Sequence, residues 1–182
     1  GFGCSGLKPQ EPVTPIDPNS PCARQLEIFL PLNDGLTRVG TETTLDIATW
    51  NMEFFPLDLP GDFNCGHPID PVRVEKMAGL INTLGLDIII VQELSDPAGF
   101  TQLLAKCPDY DGVNAPEVFG CNYQRVAFIW RKDQVVVHAV KSLFTGRNYS
   151  SAFPRPPLEI DVTITSNGHS YDLNVIGVHL KA

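Results

Sequence analysis

The chain has 182 residues, 43% hydrophobic and 19% charged, which is enough apolar content for one domain with a buried core. Its formal net charge of −8 at pH 7 excludes a basic domain that grips nucleic acid by overall charge alone. Its longest apolar run, Ile88-Ile89-Ile90-Val91, is strand-sized and far short of the ~20 residues of a membrane helix.

Residues 1–25 carry Pro9, Pro12, Pro15, Pro18 and Pro21. A proline at every third position suits an extended, polyproline-like tether and not a packed element. Cys4, in Gly1-Phe2-Gly3-Cys4-Ser5, follows small residues and resembles a bacterial lipoprotein processing site. It predicts an extracytoplasmic protein (secreted, periplasmic or lipid-anchored at the cell surface) with a membrane tether through Cys4. The remaining cysteines are Cys22, Cys65, Cys107 and Cys121; none forms a CxxC pair, which argues against a structural zinc site. Cys107 and Cys121 flank a turn-rich loop and could close it as a disulfide. Cys22 with Cys65 is a weaker second pair, and buried free thiols are the alternative.

The folded domain is expected over 26–182. Leu26 to Leu32 suits a short edge strand, and Asn33-Asp34-Gly35 a turn. Leu45 to Asn51 alternates and is rich in β-formers, so it predicts a strand ending on the amide of Asn51. Phe54 to Asp70 reads as a long loop, with Pro56, Pro60, Gly61, Gly66 and Pro68. A helix follows: Asp70 can cap it, Pro71 suits its first position, Gly85 can end it, and Val74, Met77, Leu80, Ile81 and Leu84 share one face. Leu86 to Glu93 is apolar throughout and predicts a strand buried on both faces. Asp96-Pro97 starts a second helix with Phe100, Leu103 and Leu104 inward. Arg125 to Arg131 and Gln134 to Val140 predict two strands in a hairpin around Lys132-Asp133. Gly146 to Pro157 reads as a loop. Leu158 to Thr165 and Tyr171 to His179 predict a second hairpin around Asn167-Gly168. This order implies an α/β layered domain with mixed strand pairing.

Three predicted strands end in polar residues: Asn51, Glu93 and His179. An amide and a carboxylate oxygen are hard ligands, suited to Mg²⁺, Mn²⁺ or Ca²⁺ more than to zinc. Asn51 can also be read as a simple turn former, Glu93 as a solvated strand end, and Arg155 as a surface arginine.

Ile47-Ala48-Thr49-Trp50-Asn51-Met52, Asp87-Ile88-Ile89-Ile90-Val91-Gln92-Glu93 and Gly177-Val178-His179-Leu180-Lys181, in that order, resemble the endonuclease/exonuclease/phosphatase superfamily, the deoxyribonuclease I-like group. The resemblance covers about Leu45 to Ala182. It implies a four-layer α/β/β/α sandwich. It also implies a metal-dependent phosphoester hydrolase using Mg²⁺ (or Mn²⁺/Ca²⁺), with Glu93 as principal metal ligand and Asn51 supporting the metal and phosphate. His179 would contact the scissile phosphate, and Arg155, in Phe153-Pro154-Arg155-Pro156-Pro157, would bind or orient it with its planar fork of donors. Tyr123 and Arg125 lie near further substrate contacts of that group. The substrate is a phosphate ester, nucleic acid included. The leading activity is a nuclease-like phosphodiesterase. Alternatives are a phosphatase or phospholipase on inositol or lipid phosphates, and a non-catalytic binding module of the same fold.

The later motifs of that group, an Asp-x-Asn segment and a C-terminal Ser-Asp-His, do not follow His179. Gly61-Asp62-Phe63-Asn64 has the letters of the first but lies too early, and neither His67 nor His169 suits the second. The sandwich is therefore expected to be incomplete: the 182 residues form its N-terminal part and are inactive by themselves. An open sheet face would be covered by a missing C-terminal segment or by self-association.

Overall fold

The computed structural model describes residues 37–57, 68–116 and 124–180. The proline-rich lead with Cys4 and Cys22, the segment with Cys65 and His67, Tyr123 and Cys121, and the last two residues lie outside the described residues. Two sheets form. The first has the order β1-β2-β4-β3, from β1 (Ile47–Phe55), β2 (Ile88–Leu94), β3 (Tyr110–Asn114) and β4 (Arg125–Arg131). The second has the order β5-β6-β7, from β5 (Val135–Ser142), β6 (Leu158–Ser166) and β7 (His169–Gly177). β1 and β2 pair in parallel and the other pairs are antiparallel, so the expected mixed pairing holds.

Helix α1 (Pro71–Leu84) begins where the sequence marks it. The Asp70 side chain accepts from Val72 N–H, Pro71 fills the first position, and Gly85 ends the helix in the left-handed region. Helix α2 (Pro97–Ala105) starts the same way, with Asp96 accepting from Ala98 N–H. Both helices cover one face of the first sheet. Val74, Ile81, Phe100 and Leu103 pack there against Met52, Phe55, Ile89, Val91 and Ile129. The other face packs on the second sheet through Ile88, Val126 and Phe128 against Leu158, Ile160, Val162 and Ile164. Helices, first sheet and second sheet are three of the four layers expected; among the described residues no helix covers the outer face of the second sheet.

The expected hairpin of β4 with β5 is overturned. β4 is buried along nearly its whole length, and both its edges are already paired, to β2 and to β3. No edge remains for β5, so the chain turns at Gln134 into the second sheet, where Gln134 O accepts from Thr165 N–H. β3 was hidden in the sequence by Asp111, Gly112 and Asn114, which read as turn residues. The Asn167-Gly168 hairpin forms as expected, with both residues at positive φ (50° and 73°), the backbone such a tight turn needs. Cys107 is a free, buried thiol, so its expected bridge to Cys121 is corrected. It packs under α1 with Sγ facing the Ala78 carbonyl, and burial pushes its pKa up to about 11.

β1 and β7 are free edges among the described residues. Ile47 lies on the face of β1 opposite the helices, and Tyr171 shares the inner face of its sheet with Ile164. Both point into the space between the sheets, yet they remain 44% and 55% exposed. A cavity of about 360 Å³, lined by Leu45, His169, Tyr171 and Leu173 among others, opens on this flank. Among the described residues, the apolar surface left uncovered lies on this flank. The outer face of β6, with Glu159, Asp161 and Thr163, is polar.

Candidate active site

The site forms where the β1–β2 pairing breaks. Regular register runs from Ile47↔Ile88 to Asn51↔Gln92, then shifts before Phe55↔Leu94. In that interval Glu53, Phe54 and Glu93 have positive φ (46°, 52° and 62°). Irregularities of this kind re-aim side chains, and left-handed non-glycine residues concentrate at functional sites. Strand β1 therefore does not stop at Asn51 as expected; it bulges there and continues to Phe55. The guanidinium of Arg73, on α1, gathers the carbonyls that the bulge frees. It donates to Met52 O at 2.9 Å, to Glu53 O at 2.8 Å and to Leu57 O.

Asn51 is both turn former and partner. Its Oδ1 accepts from Glu53 N–H at 2.9 Å, and its Nδ2 donates to Glu93 Oε1 at 3.0 Å. The strand above Glu93 is steadied by Gln92, which is buried and donates to Thr49 Oγ1 at 2.8 Å. Arg125, also buried, donates to Ser95 O at 3.1 Å and braces the turn after Glu93.

His179 lies two residues past β7. It arrives because Gly177 has no side chain: a Cβ there would come within 2.8 Å of both Ile90 and Val126. His179 Nε2 stands 3.5 Å from Glu93 Oε1. Burial lowers its pKa first and the positive charge of Arg155 lowers it further, against a smaller opposing pull from Glu93. Burial and Arg155 thus favour the neutral ring. Arg155 donates to Oε1 of Gln124, which is buried at the start of β4. All four residues singled out in the sequence, Asn51, Glu93, Arg155 and His179, thus meet at one end of the two sheets. Arg73 and Gln124 carry no sequence signal of their own: one is an arginine on a helix, the other a polar residue before an apolar strand.

The donor set fits a hard divalent cation. Glu93 is largely buried, and among the described residues no Lys or Arg pairs with it. Asn51 presents Nδ2 to Glu93 and turns Oδ1 to the Glu53 N–H, so the carboxylate of Glu93 is the hard oxygen ligand this pair offers. Mg²⁺ needs only one or two carboxylates from the protein and shares itself with water and substrate phosphate. No group of three or more His, Cys, Asp or Glu side chains suited to a metal occurs among the described residues.

No protein-family model matches the sequence, and no curated protein matches it significantly. Solved structures do. A functionally unknown conserved protein from Enterococcus faecalis aligns at TM-score 0.54 and 17% identity, over 74% of this chain and 52% of its own. An endonuclease/exonuclease/phosphatase from Bacteroides vulgatus aligns at TM-score 0.49 and 18% identity, over 72% and 51%. A mannosyl-6-phosphatase from Bacteroides thetaiotaomicron aligns at TM-score 0.49 and 13% identity, over 73% and 50%. The chain spans about half the length of the structures it matches. The likeness is one of fold alone: over 74% of its length the chain shares the α/β fold of the Enterococcus faecalis structure.

Proposed function

We propose that this domain is part of a metal-dependent phosphoester hydrolase, nuclease-like in cutting phosphodiesters. The observation that carries the reading is the meeting of Asn51, Glu93 and His179 beside Arg155 at a strained break in the first sheet. Glu93 would hold a divalent cation such as Mg²⁺, which would supply charge stabilisation to phosphoryl oxygens. Asn51 orients the carboxylate through Nδ2. Arg155 offers a planar fork of N–H donors to a phosphate oxygen pair, and Gln124 holds that fork in place. The neutral form of His179, which burial favours, has one ring N–H to donate and one lone pair to accept.

The open flank at β1 and β7 supports a second part of the reading. Further strands, from more of the polypeptide or from a second copy, complete both sheets and bring the remaining catalytic groups. The Cys4 segment, through a lipid or a secretion signal, would hold the protein outside the cytoplasm. One assay tests the hydrolase reading. The complete gene product, with Mg²⁺, is expected to cleave a phosphodiester; Glu93→Gln is expected to lose at least about 100-fold in rate, as loss of one preorganised charge-stabilising group does. The 182-residue chain by itself is expected to give no turnover. Unchanged cleavage by Glu93→Gln would reject the metal assignment.

A further inference from the structure

We infer that the loop from Phe144 to Pro156, between β5 and β6, is a base-stacking subsite that holds a nucleobase next to the phosphate at Arg155. The inference rests on the phosphoesterase reading for the role of Arg155. Its own support is separate. The loop is closed at its neck by Leu143 N–H donating to Pro157 O at 2.9 Å, and a short 3-10 turn (Arg147–Tyr149) crosses it. Three aromatic residues gather on it. Phe144 stacks on Phe153 with centroids 4.8 Å apart and planes 11° from parallel, and Tyr149 tilts against Phe144 at 5.2 Å.

Phe144 and Tyr149 stay 45% and 43% exposed. Phe144 also sits at φ 54°, a backbone region that a bulky side chain avoids. Strain spent on presenting an aromatic ring to solvent suits a ligand better than a core. Clustered exposed aromatics differ in this from single ones, which need no explanation.

Charge names the ligand. From Gln134 to Leu158 there is no Asp or Glu, while Lys141, Arg147 and Arg155 fall in that span. The whole chain has 21 acidic and 13 basic residues, so this stretch is locally basic; Lys141 stands opposite Glu159 across the β5–β6 ladder, which leaves Arg147 and Arg155 as the cations of the loop itself. Phe153 is two residues from Arg155, within about 7 Å along the backbone. A flat ring bound beside a phosphate is the chemistry of a nucleotide in a single strand, where bases stack on aromatic faces and backbone phosphates meet arginines. A membrane surface is the weaker match, because polybasic lipid-binding segments carry about 4–8 Lys or Arg.

The test uses the complete protein with EDTA, so that no strand is cut. Fluorescence anisotropy would compare a short oligothymidylate with an abasic strand of the same length. The wild type is expected to prefer the base-bearing strand by about tenfold or more. Phe144→Gly, which relieves the left-handed backbone but also removes the contacts with Phe153 and Tyr149, and Tyr149→Ala, which keeps the Phe144–Phe153 stack, should each erase most of that preference while leaving the abasic strand bound as before. Arg155→Ala should weaken both strands alike. Equal binding of the two strands by the wild type overturns the inference, as does a preference that survives Phe144→Gly and Tyr149→Ala. Binding to phosphatidylglycerol vesicles without any base preference would also overturn it, in favour of a membrane. If Arg155→Ala changes neither strand while the aromatic variants lose the preference, the stacking subsite stands and the phosphate role of Arg155 falls.

Discussion

β2 and β6 are the central strands of their local sheets, and they are built on opposite plans. β6 runs in unbroken register with β7 from Leu158↔Gly177 to Ser166↔His169. Its inner side chains are apolar and its outer ones polar, so one residue of slippage would expose Leu158, Ile160, Val162 and Ile164 together. β2 is buried on both faces, and its register with each neighbour breaks near Glu93. β6 keeps a ladder on each side, with one register shift against β5 between Val137 and Ala139, and buries one apolar face. β2 gives up ladder bonds and accepts left-handed residues, and the four candidate catalytic side chains converge there. Regularity specifies the scaffold, and the local departure from it aims the chemistry.

This contrast can be broken in three ways. The largest effect is expected at Gly177, where the regular hairpin meets the irregular pair. Gly177→Val should overpack the contact with Ile90 and Val126 and cost about 1–3 kcal/mol in urea unfolding. Undiminished stability would mean that the sheets can separate there freely. Next is the strain at Glu93. Glu93→Gly should raise stability by roughly 1 kcal/mol, because glycine accepts φ 62° at no steric cost, while abolishing hydrolysis by the complete protein. A drop in stability would show that the carboxylate supports the fold as well as the site.

The smallest effect is expected at Asp87, just before β2 and far from the site. It is buried, and its Oδ2 accepts from Asp46 N–H at 2.8 Å. Burial raises its pKa above the usual 3.8, against the lowering by that hydrogen bond and by Arg131. The sign follows. A carboxyl with a raised folded pKa contributes stability that is fully present below 3.8 and is lost as pH rises through the folded pKa. Asp87→Asn cannot ionise, so its stability relative to wild type should improve from acid to neutral pH. A constant difference across that range would show no burial penalty on Asp87.

The sequence by itself determined the local structure that depends on a few neighbouring residues. Asp70-Pro71 and Gly85 bounded α1, Asp96-Pro97 started α2, and Asn167-Gly168 turned the second hairpin, because caps and tight turns are closed by backbone groups three or four residues away. Asn51, Glu93 and His179 stood out in the sequence as polar residues at the ends of apolar strands, and Arg155 only through the motif resemblance; the fold brings the four together. Tertiary structure alone decided the rest. Whether β4 pairs with β5 depends on which edges β2 and β3 have already taken, and no local pattern carries that. Whether Asn51 turns the chain or holds Glu93 depended on a bulge that brings strands from distant segments into contact, and there it does both. Arg73 and Gln124 became visible only once the carbonyls of Met52, Glu53 and Leu57 and the guanidinium of Arg155 stood beside them. The value of a hydrogen-bond donor or acceptor lies in the partner that the fold delivers to it.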